Sequence, residues 1–195
     1  MAEIPTRDIR DPRTLRAMAH PVRLQILEEL VAGGPATATE LAERVGESPA
    51  NCSWHLRQLA RYGYVTEAGG GSGRQRPWKV VLQSNRWDAG GDDRELAAAG
   101  EATAEVLFAR EFDLMRRWFA TRREEPEEWR DAAFADGSLM WLTAAELASV
   151  QEEVFAAVTR FAERIEDPAR RPPGARLVHL VSWGVPTVSW GVPSR

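Results

Sequence analysis

The sequence predicts a mainly helical protein with a little β structure: four short helices and a two-strand hairpin, then one long helix, then a small strand-helix-strand unit. Three observations lead there. Helix-starting and helix-stopping residues recur at short intervals between positions 11 and 63. The apolar spacing then changes from helical to alternating on either side of a glycine-rich stretch. Beyond residue 92 an unbroken helical pattern runs to residue 123.

The first helix is expected from Asp11. His20-Pro21 opens the second, because proline at the first helical position gives up an N–H that would be unbonded anyway. Its buried stripe is Leu24, Leu27, Leu30 and Val31, and Gly33-Gly34-Pro35 stops it. Thr37 with Glu40 forms a capping box that starts the third helix, which turns Leu41 and Val45 inward and ends at Gly46. Ser48-Pro49 then caps and opens the fourth, whose Cys52, Leu56 and Leu59 recur at helical spacing and face the core. Two short helices joined by a tight glycine turn make a helix-turn-helix. Residues 64–67 and 78–82 read as strands flanking a basic tip at 69–76, so a hairpin follows the second of these helices. Four helices followed by this hairpin make a winged helix, and a winged helix-turn-helix domain is expected over residues 11–86.

Residues 87–93 read as a linker, with Gly90-Gly91 permitting a turn. Within the dimerisation region, 92–123, the long helix of residues 94–123 would extend about 45 Å. Phe108, Phe112, Met115 and Phe119 form one apolar stripe along it, and Leu107, Leu114 and Trp118 an adjacent one. A band that wide packs on two sides, one of them the rest of its own chain and the other a second subunit; burial wholly within the monomer is the alternative. Residues 138–142 and 177–183 are expected as strands around a helix that Thr143 and Glu146 cap, with Leu147, Val150, Val154, Val158, Phe161 and Ile165 on one face. This C-terminal unit, 137–184, is followed by a tail, 185–195. The hexapeptide VSWGVP at 181–186 returns at 188–193; two copies make no solenoid.

The net charge of −4 conceals a division. Residues 1–86 carry twelve basic and nine acidic side chains, and residues 87–195 thirteen and twenty. Within the first part, residues 48–86 hold Arg57, Arg61, Arg74, Arg76, Lys79 and Arg86 against Glu67 alone. Such a field attracts polyanions. A single lysine among 25 basic residues points to the codon usage of a GC-rich bacterial genome. No apolar run approaches the ~20 residues needed to span a bilayer, and the opening MAEIPTRDIR lacks a secretory apolar stretch, so a cytoplasmic location is expected.

The stretch MAHPVRLQILEEL, followed by ATELAERVGESPANCSWHLRQLARYGYV, resembles the ArsR-type winged-helix repressors over about a third of the chain. The resemblance implies a dimeric transcriptional regulator, probing double-stranded DNA with its fourth helix. With Cys52, Leu56 and Leu59 inward, the positions left for DNA are Ala50, Asn51, Ser53, Trp54 and Arg57. Asn51 suits adenine and Arg57 guanine. Ser48 is first a cap and second a phosphate contact. Trp54 either touches a thymine methyl or packs between this helix and the wing. His55 matches the family's histidine and is expected as a satisfied, partly buried side chain. Arg74 and Arg76, on the wing, would touch phosphates or enter the minor groove.

Many ArsR-type repressors sense metals through cysteines on the third helix or histidines on the long one. Residues 37–45 hold neither, and residues 94–123 hold no histidine, so thiolate or imidazole metal sensing and any cofactor are not expected. A carboxylate-only site stays open, with nothing to single one out. Eight tryptophans, among them Trp118, Trp129, Trp141 and Trp183, allow an aromatic-lined pocket for a small apolar or aromatic effector; core packing explains them as well. No phosphate loop, nucleophile elbow or zinc-protease motif occurs, so catalysis is not expected. The competing reading is a winged-helix protein-interaction module that does not bind DNA.

Overall fold

The computed structural model describes residues 4–69, 76–87 and 92–187. The chain is mostly helical, with an N-terminal winged helix-turn-helix followed by a long helix. Helix α1 (Pro12–Met18) starts where the Asp11 side chain accepts the Arg13 backbone N–H at 2.9 Å. Helix α2 (Pro21–Gly33) begins on proline, as the sequence predicts. At α3 (Ala38–Val45) the capping box is complete: Thr37 Oγ1 accepts the Glu40 N–H at 3.3 Å, and the Glu40 carboxylate accepts the Thr37 N–H at 2.7 Å. Gly46 then turns the chain in the left-handed region, at φ 72°, where a side chain would be strained. Helix α4 (Pro49–Arg61) follows at once, with Ser48 Oγ accepting the Asn51 N–H at 3.1 Å.

These four helices enclose one core. Leu30, Leu41, Cys52, Leu56 and Leu59 are inaccessible or nearly so, each leucine contributing about 1.5–3 kcal/mol by leaving water. Ile26, absent from the predicted stripe, is also fully buried, whereas Leu27 and Val31 are only half-buried. The inner face of α2 is therefore rotated from the predicted one, because α3, α4 and the wing all press on it.

The wing pairs β2 (Val65–Glu67) antiparallel with β3 (Trp78–Val80), and Ala36 adds a third edge by exchanging two backbone bonds with Trp78 at 3.0 and 2.8 Å. Both strands are shorter than the sequence suggests, and the tip from 70 to 75 lies outside the described residues. Tyr64, at the foot of the wing, donates its hydroxyl to the Thr14 carbonyl at 2.9 Å, and burial pushes its pKa up to about 12. It ties the wing to α1.

One sheet was not foreseen. β1 (Thr6–Ile9) pairs in parallel with β4 (Ser84–Trp87), so Trp87 ends a strand and does not open a linker. Ile9 and Trp87 carry this sheet onto Leu15 of α1 and onto Leu96 and Ala99 of α5 (Arg94–Thr121), a second small core. Arg110 of α5 also pairs with Glu28 of α2, so the long helix is anchored to the winged domain by this pair as well as by the second core. It ends in one 3-10 turn, Arg122–Glu124.

Beyond lie α6 (Glu127–Ala132), α7 (Ala144–Thr159) and α8 (Glu163–Glu166). The Thr143–Glu146 capping box forms, with the Thr143 N–H on the Glu146 carboxylate at 2.7 Å. The two expected strands do not: residues 138–142 and 177–183 are irregular. A strand needs an edge to bond to, and neither stretch meets one within its own chain. The strand-helix-strand unit is thus corrected to a helix with irregular flanks. The expected apolar face is also cut short, because α7 stops at Thr159, whose hydroxyl bonds back to the Phe155 carbonyl at 2.7 Å and leaves Phe161 and Ile165 beyond it. Arg171 returns this region to the winged domain by donating to the Ala32 and Val31 carbonyls at 2.7 and 3.1 Å, capping the C-terminal end of α2. The second VSWGVP copy lies outside the described residues. Among the described residues no helix is long and apolar enough to cross a membrane.

Candidate nucleic-acid interface

Helix α4 presents three faces, each set by what its residues can bury. Cys52, Leu56 and Leu59 are sealed in the core. Ala50, Trp54, Arg57 and Arg61, at helical spacing, are exposed along the opposite edge. Between them, Asn51, His55, Gln58 and Tyr62 run down the flank toward α1 and α2, where His55 meets His20 and Gln58 and Tyr62 line a cleft with Arg23.

The predicted contact residues divide accordingly. Arg57 is exposed, and its Nε donates to the Ser53 carbonyl at 3.2 Å, which steadies the side chain and leaves both terminal nitrogens for a ligand. Trp54 is 48% exposed with its ring edge-on to His55, centroids 4.8 Å apart. Asn51 is half-buried, not on the outer edge, and its amide donates to the Glu47 carboxylate at 2.7 Å. Ser53 is half-buried, whereas Ala50 and Ser48 are open. Arg76 lies beside the wing, paired with Glu67 at 2.8 Å; both side chains are about half exposed, so the pair is weak. Arg74 lies outside the described residues.

The tilted contact of the His20 ring with the His55 ring is not visible in the sequence, since residues 35 apart carry no mark of meeting. Their ring centroids are 4.7 Å apart, and the Nδ1 of each is buried with no hydrogen-bond partner among the described residues. His55 is only 3% exposed, so the expectation of a satisfied side chain is corrected to one of an unsatisfied one. Burial first, then Arg23 and, for His55, the facing His20, hold both pKa values below the ordinary imidazole value, while Glu47 acts the other way. The folded chain therefore binds fewer protons than the unfolded chain below about pH 6.5. Stability is complete above that pH and is lost as the pH falls through and below it. Calorimetry between about pH 7.5 and 5.5 should show the melting temperature dropping, and His55→Phe should flatten the drop. A melting temperature that stays level in the unaltered chain would contradict the buried pair.

The faces of α5 are unequal. Leu107 packs against the main core, and Leu114 and Trp118 are half-buried. Phe108, Phe112, Met115 and Phe119 stand 41–51% exposed on the other side. At the far end of this helix Trp118, Phe119 and Phe134 line a cavity of about 200 Å³ together with Arg122 and Arg130.

A family model described as a helix-turn-helix domain matches residues 18–67, which hold α2, α3, α4 and the first strand of the wing. Among solved structures, the chain is similar to the homodimeric winged helix-turn-helix DNA-binding domain of Mb0332 from Mycobacterium bovis, described as a possible ArsR-family transcriptional regulator. Identity is 23% over 51% of this chain and 76% of that one, with a TM-score of 0.32. It is similar also to NMB1585, a MarR family regulator from Neisseria meningitidis (13% identity, 76% and 80% covered, TM-score 0.34). A third is the transcriptional regulator Tm0710 from Thermotoga maritima (16% identity, 76% and 82% covered, TM-score 0.31). The comparison with curated proteins finds no match.

Proposed function

We propose that this chain is a sequence-specific double-stranded DNA-binding transcriptional regulator of the ArsR type, acting in the bacterial cytoplasm as a homodimeric repressor. One observation carries the reading: the inner edge of α4 is wholly committed to the core while its outer edge, with Trp54, Arg57 and Arg61, is bare. A helix so held can enter a major groove without disturbing the fold. The surplus of basic residues at positions 48–86 supplies the attraction to phosphate. The apolar face of α5 supports the dimer, and a two-fold axis would present two copies of α4 to inverted half-sites about one helical turn, or a multiple, apart.

A small aromatic effector is the further part of the proposal. The cavity of Trp118, Phe119 and Phe134 offers ring faces, and Arg122 and Arg130 offer charge for an acidic substituent. In this reading the winged domain binds and the C-terminal region reports.

Selection of bound fragments from the source genome tests the proposal. A defined motif should emerge, bound with an affinity that falls steeply with salt. Arg57→Ala should then relax the preference at one base pair of each half-site, a loss of about 1–3 kcal/mol of discrimination. Unchanged preference in that variant would remove Arg57 from the interface. Failure of the unaltered protein to bind any duplex would leave the protein-interaction reading in its place.

A further inference from the structure

The flank of α4 ends in a cleft that none of the predicted contacts uses. Arg13 and Arg16 of α1, Arg23 of α2, and Gln58 and Tyr62 of α4 line it together with Ala17, around about 220 Å³ of open space. Arg13 and Arg16 reach only exposed carboxylates, Asp11 at 3.1 Å and Glu95 at 3.0 Å, and such pairs hold weakly. Arg23 differs. It is half-buried, one terminal nitrogen donates to the Arg16 carbonyl at 3.3 Å, and its Nε is buried with no acceptor among the described residues. No described carboxylate pairs with it.

A guanidinium partly withdrawn from water, with one buried N–H lacking an acceptor and no counter-charge among the described residues, is costly, and the chain tolerates that cost beside two more arginines and an amide. The group that removes it is an anion with several acceptor oxygens, which the planar fork of arginine grips in two places. The position says which anion. Gln58 follows Arg57 on α4, about a quarter-turn around the helix from the edge assigned to the groove. A helix lying in a groove ~12 Å wide has sugar-phosphate walls on its flanks.

We propose that this cleft is a phosphate-binding subsite, in which Arg23, assisted by Arg13, Arg16 and Gln58, clamps one backbone phosphate of the duplex held by α4. The inference rests on the DNA-binding reading and adds to it a fixed anchor outside the wing. Such an anchor sets how deeply and at what angle α4 sits, and is blind to sequence.

The test measures duplex affinity against salt for the full chain and for Arg23→Ala and Gln58→Glu. Arg23→Ala should weaken every duplex alike, about tenfold, keep the preferred motif and lower the slope of log affinity against log salt by about one. Gln58→Glu, a half-exposed position, places a carboxylate in the cleft, where it supplies the counter-charge that Arg23 lacks; it should weaken binding at least as much while the melting temperature holds or rises. If Arg23→Ala lowers the melting temperature, Gln58→Glu decides. Unaltered affinity in Gln58→Glu overturns the subsite, as does a loss confined to particular sequences. Inorganic phosphate at matched ionic strength should release more DNA than chloride does from the unaltered chain and lose that advantage in Arg23→Ala; an advantage that survives in Arg23→Ala would place the competing phosphate elsewhere and overturn the clamp. If the unaltered chain binds no duplex, it is the functional reading that fails, a result separate from any difference between variants.

Discussion

Leu56→Ala is expected to destabilise the folded chain by about 2–5 kcal/mol, the range for emptying a fully buried leucine site. Leu56 has no accessible surface and lies on the inner edge of α4, among side chains from α2, α3 and the wing. The cavity would open between rigid elements. Helix α4 is pinned at its start by the Ser48 cap and packed along its inner edge on α2, α3 and the wing, so close packing limits how far it can shift to close the gap. Urea unfolding measures the change, and a shift below about 1 kcal/mol would mean that the core is not organised around this helix. Duplex binding should fall with it, because the exposed edge is held in place only by what its inner edge packs on.

The second large effect concerns assembly. Phe112 is 51% exposed in the single chain, between Phe108 and Met115 of the apolar stripe, so Phe112→Glu should leave the monomer's fold nearly untouched. In a dimer formed on this face the new carboxylate would be buried against apolar side chains, with Arg116 one turn on as its near cation on the stripe, a penalty of up to about 3–5 kcal/mol for a poorly paired interfacial charge. Sedimentation equilibrium should find the variant monomeric at concentrations where the unaltered chain is dimeric. Operator affinity should fall more than a hundredfold, because each half-site must then be bound alone. A variant that remains dimeric would move the interface elsewhere, and an unaltered chain that is monomeric would remove it.

The two effects separate cleanly in the sequence. Leu56 was readable as core from its spacing to Cys52 and Leu59, since a helical period places them on one side whatever they meet. The caps at Thr37, Ser48 and Thr143 and the turn at Gly46 were equally readable, because each is decided by atoms within a few residues. Ile26 was missed for the opposite reason: α2 is pressed on more than one side, and a stripe drawn for a single contact omits the second. The strands expected at 138–142 and 177–183 failed because apolar, β-prone residues do not make a strand without an edge; Leu139 at 85% and Trp141 at 95% exposure stand without a partner in their own chain. In the candidate interface, the exposure of Arg57 follows from its spacing to Cys52, Leu56 and Leu59, while the tether of Asn51 to Glu47 and the orphaned Nε of Arg23 depend on neighbours that the spacing does not name.

By itself, then, the sequence determined the helix-turn-helix, its caps, its buried edge and the long helix after it, because hydrogen bonds and periodicity within one turn of chain are local forces. Only the tertiary structure decided that Thr6–Ile9 pairs with Ser84–Trp87, that His20 lies on His55, and that three arginines from two helices converge beside α4. Those contacts join residues tens of positions apart. They are set by how packed elements meet in space, a choice made by the sum of many small burial terms and written in no short stretch of residues.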